Sequence, residues 1–136
     1  MHRIIIAGSR TFNNYPRLHK ELKNYISKYN LKPEEIEIIS GTARGADKLG
    51  ENFARVNGIK CVRFPADWNT YGKSAGYIRN AEMAKYASQE HGVLFAFWDG
   101  KSKGTKHMID LATKYHLEIY VIKEEMNGGG EDGNSD

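Results

Sequence analysis

Residues 3–8 read Arg3-Ile4-Ile5-Ile6-Ala7-Gly8 and run straight into Ser9-Arg10-Thr11. Consecutive β-branched residues with no polar alternation describe a strand buried on both faces, which is the habit of parallel sheets. The rest of the chain repeats the unit that this strand begins. Leu18, Leu22, Ile26 and Tyr29 fall at helical spacing between Pro16 and Asn30, and residues 36–40 (IEIIS) form a second apolar run. Ala46, Leu49, Phe53 and Val56 mark one helix face before Gly58, and residues 60–64 (KCVRF) read as a third strand ended by Pro65. Residues 65–75 predict a long loop, residues 76–88 an alanine-rich helix, and residues 92–97 (GVLFAF) a fourth strand. Residues 103–116 predict a helix with Met108, Leu111, Ala112 and Tyr115 on one side, and residues 118–122 (EIYVI) a fifth strand. Strands alternating with helices imply right-handed crossovers: an α/β fold with a mostly parallel five-stranded sheet and helices on both faces, spanning residues 1–123.

Composition narrows the function classes. The 136 residues are 40% hydrophobic and 27% charged, which excludes a disordered chain or a fibre. No apolar run approaches the roughly 20 residues needed to cross a bilayer, and the apolar stretch of MHRIIIAGSR is too short for a signal peptide. The lone Cys61 excludes an internal disulfide framework, fits a reducing, cytoplasmic setting, and reads as core because it lies within a strand. Residues 124–136 hold five acids and no Lys or Arg, are rich in glycine, and predict a disordered tail. The remainder carries 20 basic against 12 acidic residues, a formal +8, and such a body suits an anionic partner such as a nucleotide or nucleic acid.

In open parallel sheets, ligands bind beyond the carboxyl ends of the strands, where the strand order reverses. Three turns at those ends carry the chemistry. The first is Gly8-Ser9-Arg10-Thr11, where glycine admits close backbone approach and arginine offers a planar fork suited to phosphate. The second is Ser40-Gly41-Thr42-Ala43-Arg44-Gly45, running into a helix with Asp47 in its first turn; free N–H groups and the helix dipole make it a candidate anion site. The third is Trp98-Asp99-Gly100-Lys101-Ser102-Lys103-Gly104-Thr105, again opening a helix. Any one of them alone is an ordinary turn. Arg79-Asn80, early in the alanine-rich helix, offers a second arginine and a side chain able to tie down a loop. Trp68, Tyr71 and Trp98 are candidates for stacking on a base or for plain packing.

Other motifs fail on spacing. Gly72-Lys73-Ser74 and Gly100-Lys101-Ser102 resemble the end of a phosphate-binding P-loop, but its leading glycine is replaced by Asp67 and Phe95. GxGxxG is absent. His107 with Asp110 is the nearest approach to a metal pair, and the histidines show no metal-ligand spacing.

GSR (8–10), SGTARGAD (40–47), FPADW (64–68), AGYIRN (75–80) and FWDGKSKGT (97–105), in that order, resemble the YspA-type, cpYpsA-related branch of the SLOG superfamily. The resemblance covers roughly residues 2–123 and implies a Rossmann-like fold, a nucleotide or nucleotide-derived ligand, and self-association into a homodimer or larger assembly. The superfamily includes the Lonely-guy phosphoribohydrolases, which release a base from a nucleoside monophosphate, and the DNA-processing protein A family, which binds single-stranded DNA. In the Lonely-guy motif PGGxGTxxE the glutamate is catalytic; Asp99-Gly100 and Gly104-Thr105 match its glycine and Gly-Thr elements, but Met108 stands at the glutamate. A thioether can neither act as a base nor steady a developing positive charge, which leaves Asp99 as the carboxylate able to serve an enzyme.

The expectation is therefore a binding domain for a phosphate-bearing nucleotide or an NAD-derived small molecule, acting in sensing or sequestration. Phosphate lies against Gly8–Arg10 and Gly41–Ala46, or at Gly104-Thr105; Arg10, Arg44 and Arg79 supply charge; Trp68 or Trp98 takes a base; Asp47 and Asp99 take ribose hydroxyls or orient the arginines. No metal is expected, and the one cofactor-like group the residues suggest is a nucleotide or NAD-derived ligand. The alternatives are an N-glycosidic hydrolase working through Asp99 and a binder of single-stranded nucleic acid.

Overall fold

The computed structural model describes residues 1–123; the expectation for the tail at 124–136 lies outside the described residues. Five parallel strands form one sheet: β1 (His2–Gly8), β2 (Ile36–Ser40), β3 (Lys60–Arg63), β4 (His91–Trp98) and β5 (Glu118–Lys123), in the order β3-β2-β1-β4-β5. Helices α1 (Tyr15–Lys28), α2 (Ala46–Val56), α3 (Trp68–Tyr71), α4 (Ala75–Ser88) and α5 (Lys103–Lys114) connect them. This is the α/β, Rossmann-like architecture that the strand–helix alternation implies. The chain steps outward from β1 through β2 to β3, then returns to lay β4 on the other side of β1. The order therefore reverses between β1 and β4.

The isoleucine run of β1 divides between the two faces because side chains alternate along a strand. Ile4 and Ile6 join Leu18, Leu22, Phe53, Phe95 and Phe97 under α1 and α2, whereas Ile5 and Ala7 join Met83, Ala84, Leu94 and Met108 under α4 and α5. Ile4, Ile5 and Ile6 are fully buried, and Ile4 pairs with Ile38 on one side and Val93 on the other. Burying one such side chain contributes about 1.5–3 kcal/mol, so both layers are fastened to the central strand.

Two expectations are corrected. Residues 65–75 are not a plain loop. Asp67 caps α3 by accepting the Thr70 N–H at 3.1 Å, and a 3-10 turn over Gly72–Ser74 leads directly into α4. A four-residue helix is too short to show periodicity in sequence; its cap is its only local signal. Cys61 is half-buried rather than core, because β3 is an edge strand paired only with β2. No helix among the described residues is long and apolar enough to cross a membrane.

Candidate functional site

The three turns converge at the carboxyl edge around the reversal point. After β1, the Ser9 N–H donates to the Phe97 carbonyl of β4 at 3.1 Å, closing the first turn against the neighbouring strand. Gly8 is obligatory there: a Cβ would stand 2.5 Å from the Phe97 oxygen and 2.8 Å from the Ala46 Cβ. Gly45 holds φ at +81°, and a Cβ on it would lie 2.3 Å from the Ser9 carbonyl oxygen. The first two turns thus touch through a residue that can carry no side chain. Thr42 adopts φ of +65°, a strained conformation for a β-branched residue of a kind that clusters at ligand sites.

The second turn is held by its own side chains. Ser40, fully buried, donates to Glu51 Oε2 at 2.7 Å and accepts the Thr42 N–H at 3.0 Å. Asp47 Oδ2 accepts the Ala43 N–H at 3.1 Å. Burial pushes the Asp47 carboxyl up to about 6, opposed by the backbone N–H groups of Ala43 and Gly41 and by the charge of Arg79. Arg79 Nη1 donates to the Gly41 carbonyl, and its Nε donates to Asn80 Oδ1 at 2.9 Å. Asn80 Nδ2 then donates to the Gly104 carbonyl at 3.5 Å and lies 3.2 Å from His107 Nδ1. One adjacent pair on α4 therefore braces the second turn against the third. Burial lowers the Arg79 pKa, as does the charge of Arg10, while Asp47 works in the opposite direction. The guanidinium stays charged at neutral pH.

The third turn is organised by Asp99. Its Oδ1 accepts the N–H groups of Lys101 at 2.8 Å and Ser102 at 2.9 Å. Burial pushes this carboxyl up, but the two N–H bonds prevail and hold it below the usual range. Ser9 Oγ is close enough to favour the charged form of Asp99, yet it is buried and makes no hydrogen bond of regular geometry. Ser102 Oγ caps α5 by accepting the Thr105 N–H at 3.3 Å. The N-terminus of α2, by contrast, has no side-chain cap at Gly45.

These residues enclose a hollow of about 430 Å3. Gly8, Ser9, Arg10 and Thr11 line it from the first turn, Ala43 and Asp47 from the second, and Asp99, Ser102, Gly104 and Thr105 from the third, with Arg79 and Asn80 between. Gly41, Thr42, Arg44 and Trp68 instead line an adjoining hollow of about 440 Å3 that shares Ala43, Arg10 and Arg79 with the first. Ser40 and Gly45 shape the turns from behind, and Gly100 (φ +83°) forms an open apex. Trp98 serves the frame: its indole N–H donates to the Ser102 carbonyl at 3.0 Å. Sequence reasoning missed Ala7 and Met83 in the apolar floor of the hollow, and reached Met108 only through the motif that sets it at the Lonely-guy glutamate. Met108 is only 1% exposed and occupies core spacing on α5, so its hydrophobic pattern alone does not mark it as a wall of the site. Tyr77 was missed too; its signal was an aromatic residue in the exposed first turn of α4. No ion pair formed among the described residues uses Arg10 or Arg79, so both cations face the hollow without a bound carboxylate. Nor do the described residues gather three potential metal ligands.

Comparison with known proteins bears on the fold and the family. The chain is 32% identical over 124 residues to the Gene 61 protein of Mycobacterium phage D29, covering 88% of this chain and 94% of that protein. DNA processing protein A from Streptococcus pneumoniae shares the fold, with a TM-score of 0.67 at 16% identity over 95% of this chain. The same protein from Helicobacter pylori, whose structure was described for its single-stranded DNA binding mode, gives a TM-score of 0.58 at 18% identity over 92% of this chain. The chain spans 53% and 66% of those two structures. Residues 2–71, which include the first two turns, match the YspA, cpYpsA-related SLOG family, and the chain belongs to that family.

Proposed function

We propose that the chain binds a phosphate-bearing nucleotide or NAD-derived small molecule in the 430 Å3 hollow. The observation that carries this reading is the pair Arg10 and Arg79, unengaged by carboxylates, above an apolar floor. Phosphate takes the two guanidinium forks. Asp47 and Asp99 accept ribose hydroxyls, while Ala7, Met83 and Met108 take the apolar part of the ligand. The volume falls within the roughly 300–1,000 Å3 of small-molecule pockets. Asp99 stays ionised and spends one oxygen on two N–H bonds, so it offers negative charge rather than a proton. The test is titration calorimetry with the four nucleoside 5′-monophosphates, ADP-ribose and NAD. Saturable binding that is lost in Arg10→Glu is expected; absence of binding by the whole panel at millimolar concentration overturns the reading.

A second reading is supported by Trp68, Tyr71 and Tyr77, each about half exposed, with Trp68 in hollows that also hold Arg44 and Lys73 and Tyr77 beside Lys73, and by the fold shared with a protein described for its single-stranded DNA binding mode. Exposed aromatics beside cations suit bases and phosphates of a single strand. Its mark is affinity for a labelled single-stranded 20-mer that falls steeply as salt rises. No binding at low salt removes it.

A further inference from the structure

A second, smaller hollow of about 230 Å3 adjoins the first and shares Arg10, Arg79, Asn80 and Gly104 with it. It lies below the roughly 300–1,000 Å3 of whole-ligand pockets, so it suits one moiety of a larger ligand. Its character differs from that of its neighbour. No carboxylate lines it; Lys73 adds a cation, and Trp68 and Tyr77 form walls. Those aromatics are 53% and 49% exposed, whereas the other tryptophan, Trp98, is half-buried with its indole N–H bonded into the third turn. Tyr77 is fixed by an edge contact with His107 at 4.5 Å between ring centroids. The Trp68 ring reaches over Gly76, where a Cβ would stand 3.6 Å from Trp68 Cη2 and 3.6 Å from Arg79 Nη2. Two aromatic surfaces beside three cations, with no acid, form a receptor for a base attached to phosphate.

We infer that the ligand carries two nucleosides joined through phosphate: the linkage lies on Arg10 and Arg79, one nucleoside fills the larger hollow, and the second base stacks on Trp68 and Tyr77. This rests on the nucleotide reading above and extends it to a second subsite. The linkage is a phosphodiester, as in a short linear dinucleotide, or a pyrophosphate, as in a dinucleotide cofactor.

Calorimetry with the four nucleoside 5′-monophosphates, the four homodinucleotides pNpN, and NAD with its two component mononucleotides tests it. A stacked base contributes a factor of about 5–150 in affinity, so one of the two-base ligands is expected to exceed its own mononucleotide by that factor. Which ligand gains distinguishes the two linkages. Trp68→Ala and Tyr77→Ala, with melting temperatures as the folding check, are each expected to abolish the gain of the two-base ligand over its own mononucleotide. Mononucleotide binding with no gain for any two-base ligand overturns the inference and leaves the nucleotide reading standing. Absence of all binding overturns both. Trp68 also borders the hollow that holds Arg44, so a gain lost in Trp68→Ala and Arg44→Ala but kept in Tyr77→Ala moves the second base there and refutes the assignment. A further steep rise from dinucleotide to a ten-residue single strand refutes a two-base ligand in favour of a strand.

Discussion

Asp47→Asn probes the site through its electrostatics. The carboxyl is 7% exposed, and burial raises it to about 6 from a model-peptide value near 4. The folded state therefore binds more protons than the unfolded state between about pH 4 and pH 6, and stability falls as pH rises through that window. At 1.36 kcal/mol for each pH unit, a shift of two units costs the wild type about 3 kcal/mol by pH 7. Asparagine keeps an oxygen for the Ala43 N–H but does not ionise. Urea unfolding of both proteins at pH 4, 5, 6 and 7 isolates the effect, because every other titrating group cancels in the difference. The variant is expected to gain about 2–2.5 kcal/mol relative to wild type between pH 4 and pH 7, most of it between pH 4 and pH 6. A flat difference, or one in which wild type gains as pH rises, refutes the account of Asp47 as a buried acid only partly compensated by Arg79.

Arg79→Ala removes the brace between the second and third turns and a charged ligand contact, so nucleotide affinity is expected to fall about 10–150-fold and the melting temperature to drop, read by calorimetry and thermal unfolding. Gly45→Ala forces a Cβ against the Ser9 carbonyl at positive φ and is expected to cost about 1–3 kcal/mol in urea unfolding; an unchanged midpoint refutes the close approach of the first two turns. Asp99 is held below its ordinary pKa, so it contributes stability that is present above the unfolded value and lost as pH falls through the folded one. Asp99→Asn is expected to flatten that acid limb of the stability curve, and an unaltered limb would show that the Lys101 and Ser102 N–H groups do not favour the carboxylate.

The fold was legible because its strands are short unbroken apolar runs and its helices keep their spacing. Ile4-Ile5-Ile6 could belong only to a strand covered on both sides. The three turns were legible for a related reason: glycine, serine and arginine directly after such runs fall where the topology places ligands. The floor was not. Met83 and Met108 sit at core positions of α4 and α5, and one hydrophobic pattern describes both a packed interior and a pocket lining. The brace was half legible: Arg79-Asn80 drew notice as a polar pair, but its partners, Gly41 and Gly104, are backbone carbonyls that carry no mark in the sequence. Trp98 misled because an indole behind a turn and one over a ligand look alike until the partner of its N–H is known.

The contacts of Arg79 bear on the speed and selectivity of recognition. A surface arginine gives up rotational freedom on meeting a phosphate, and that loss weakens the complex. Here the guanidinium is oriented during folding by Gly41 and Asn80, before any ligand arrives. Association then needs no search among rotamers, and an anion misaligned with the fixed fork gains little from it. Discrimination comes from rigidity, so variants that loosen Asn80 should accept a wider range of phosphate esters, each more weakly held.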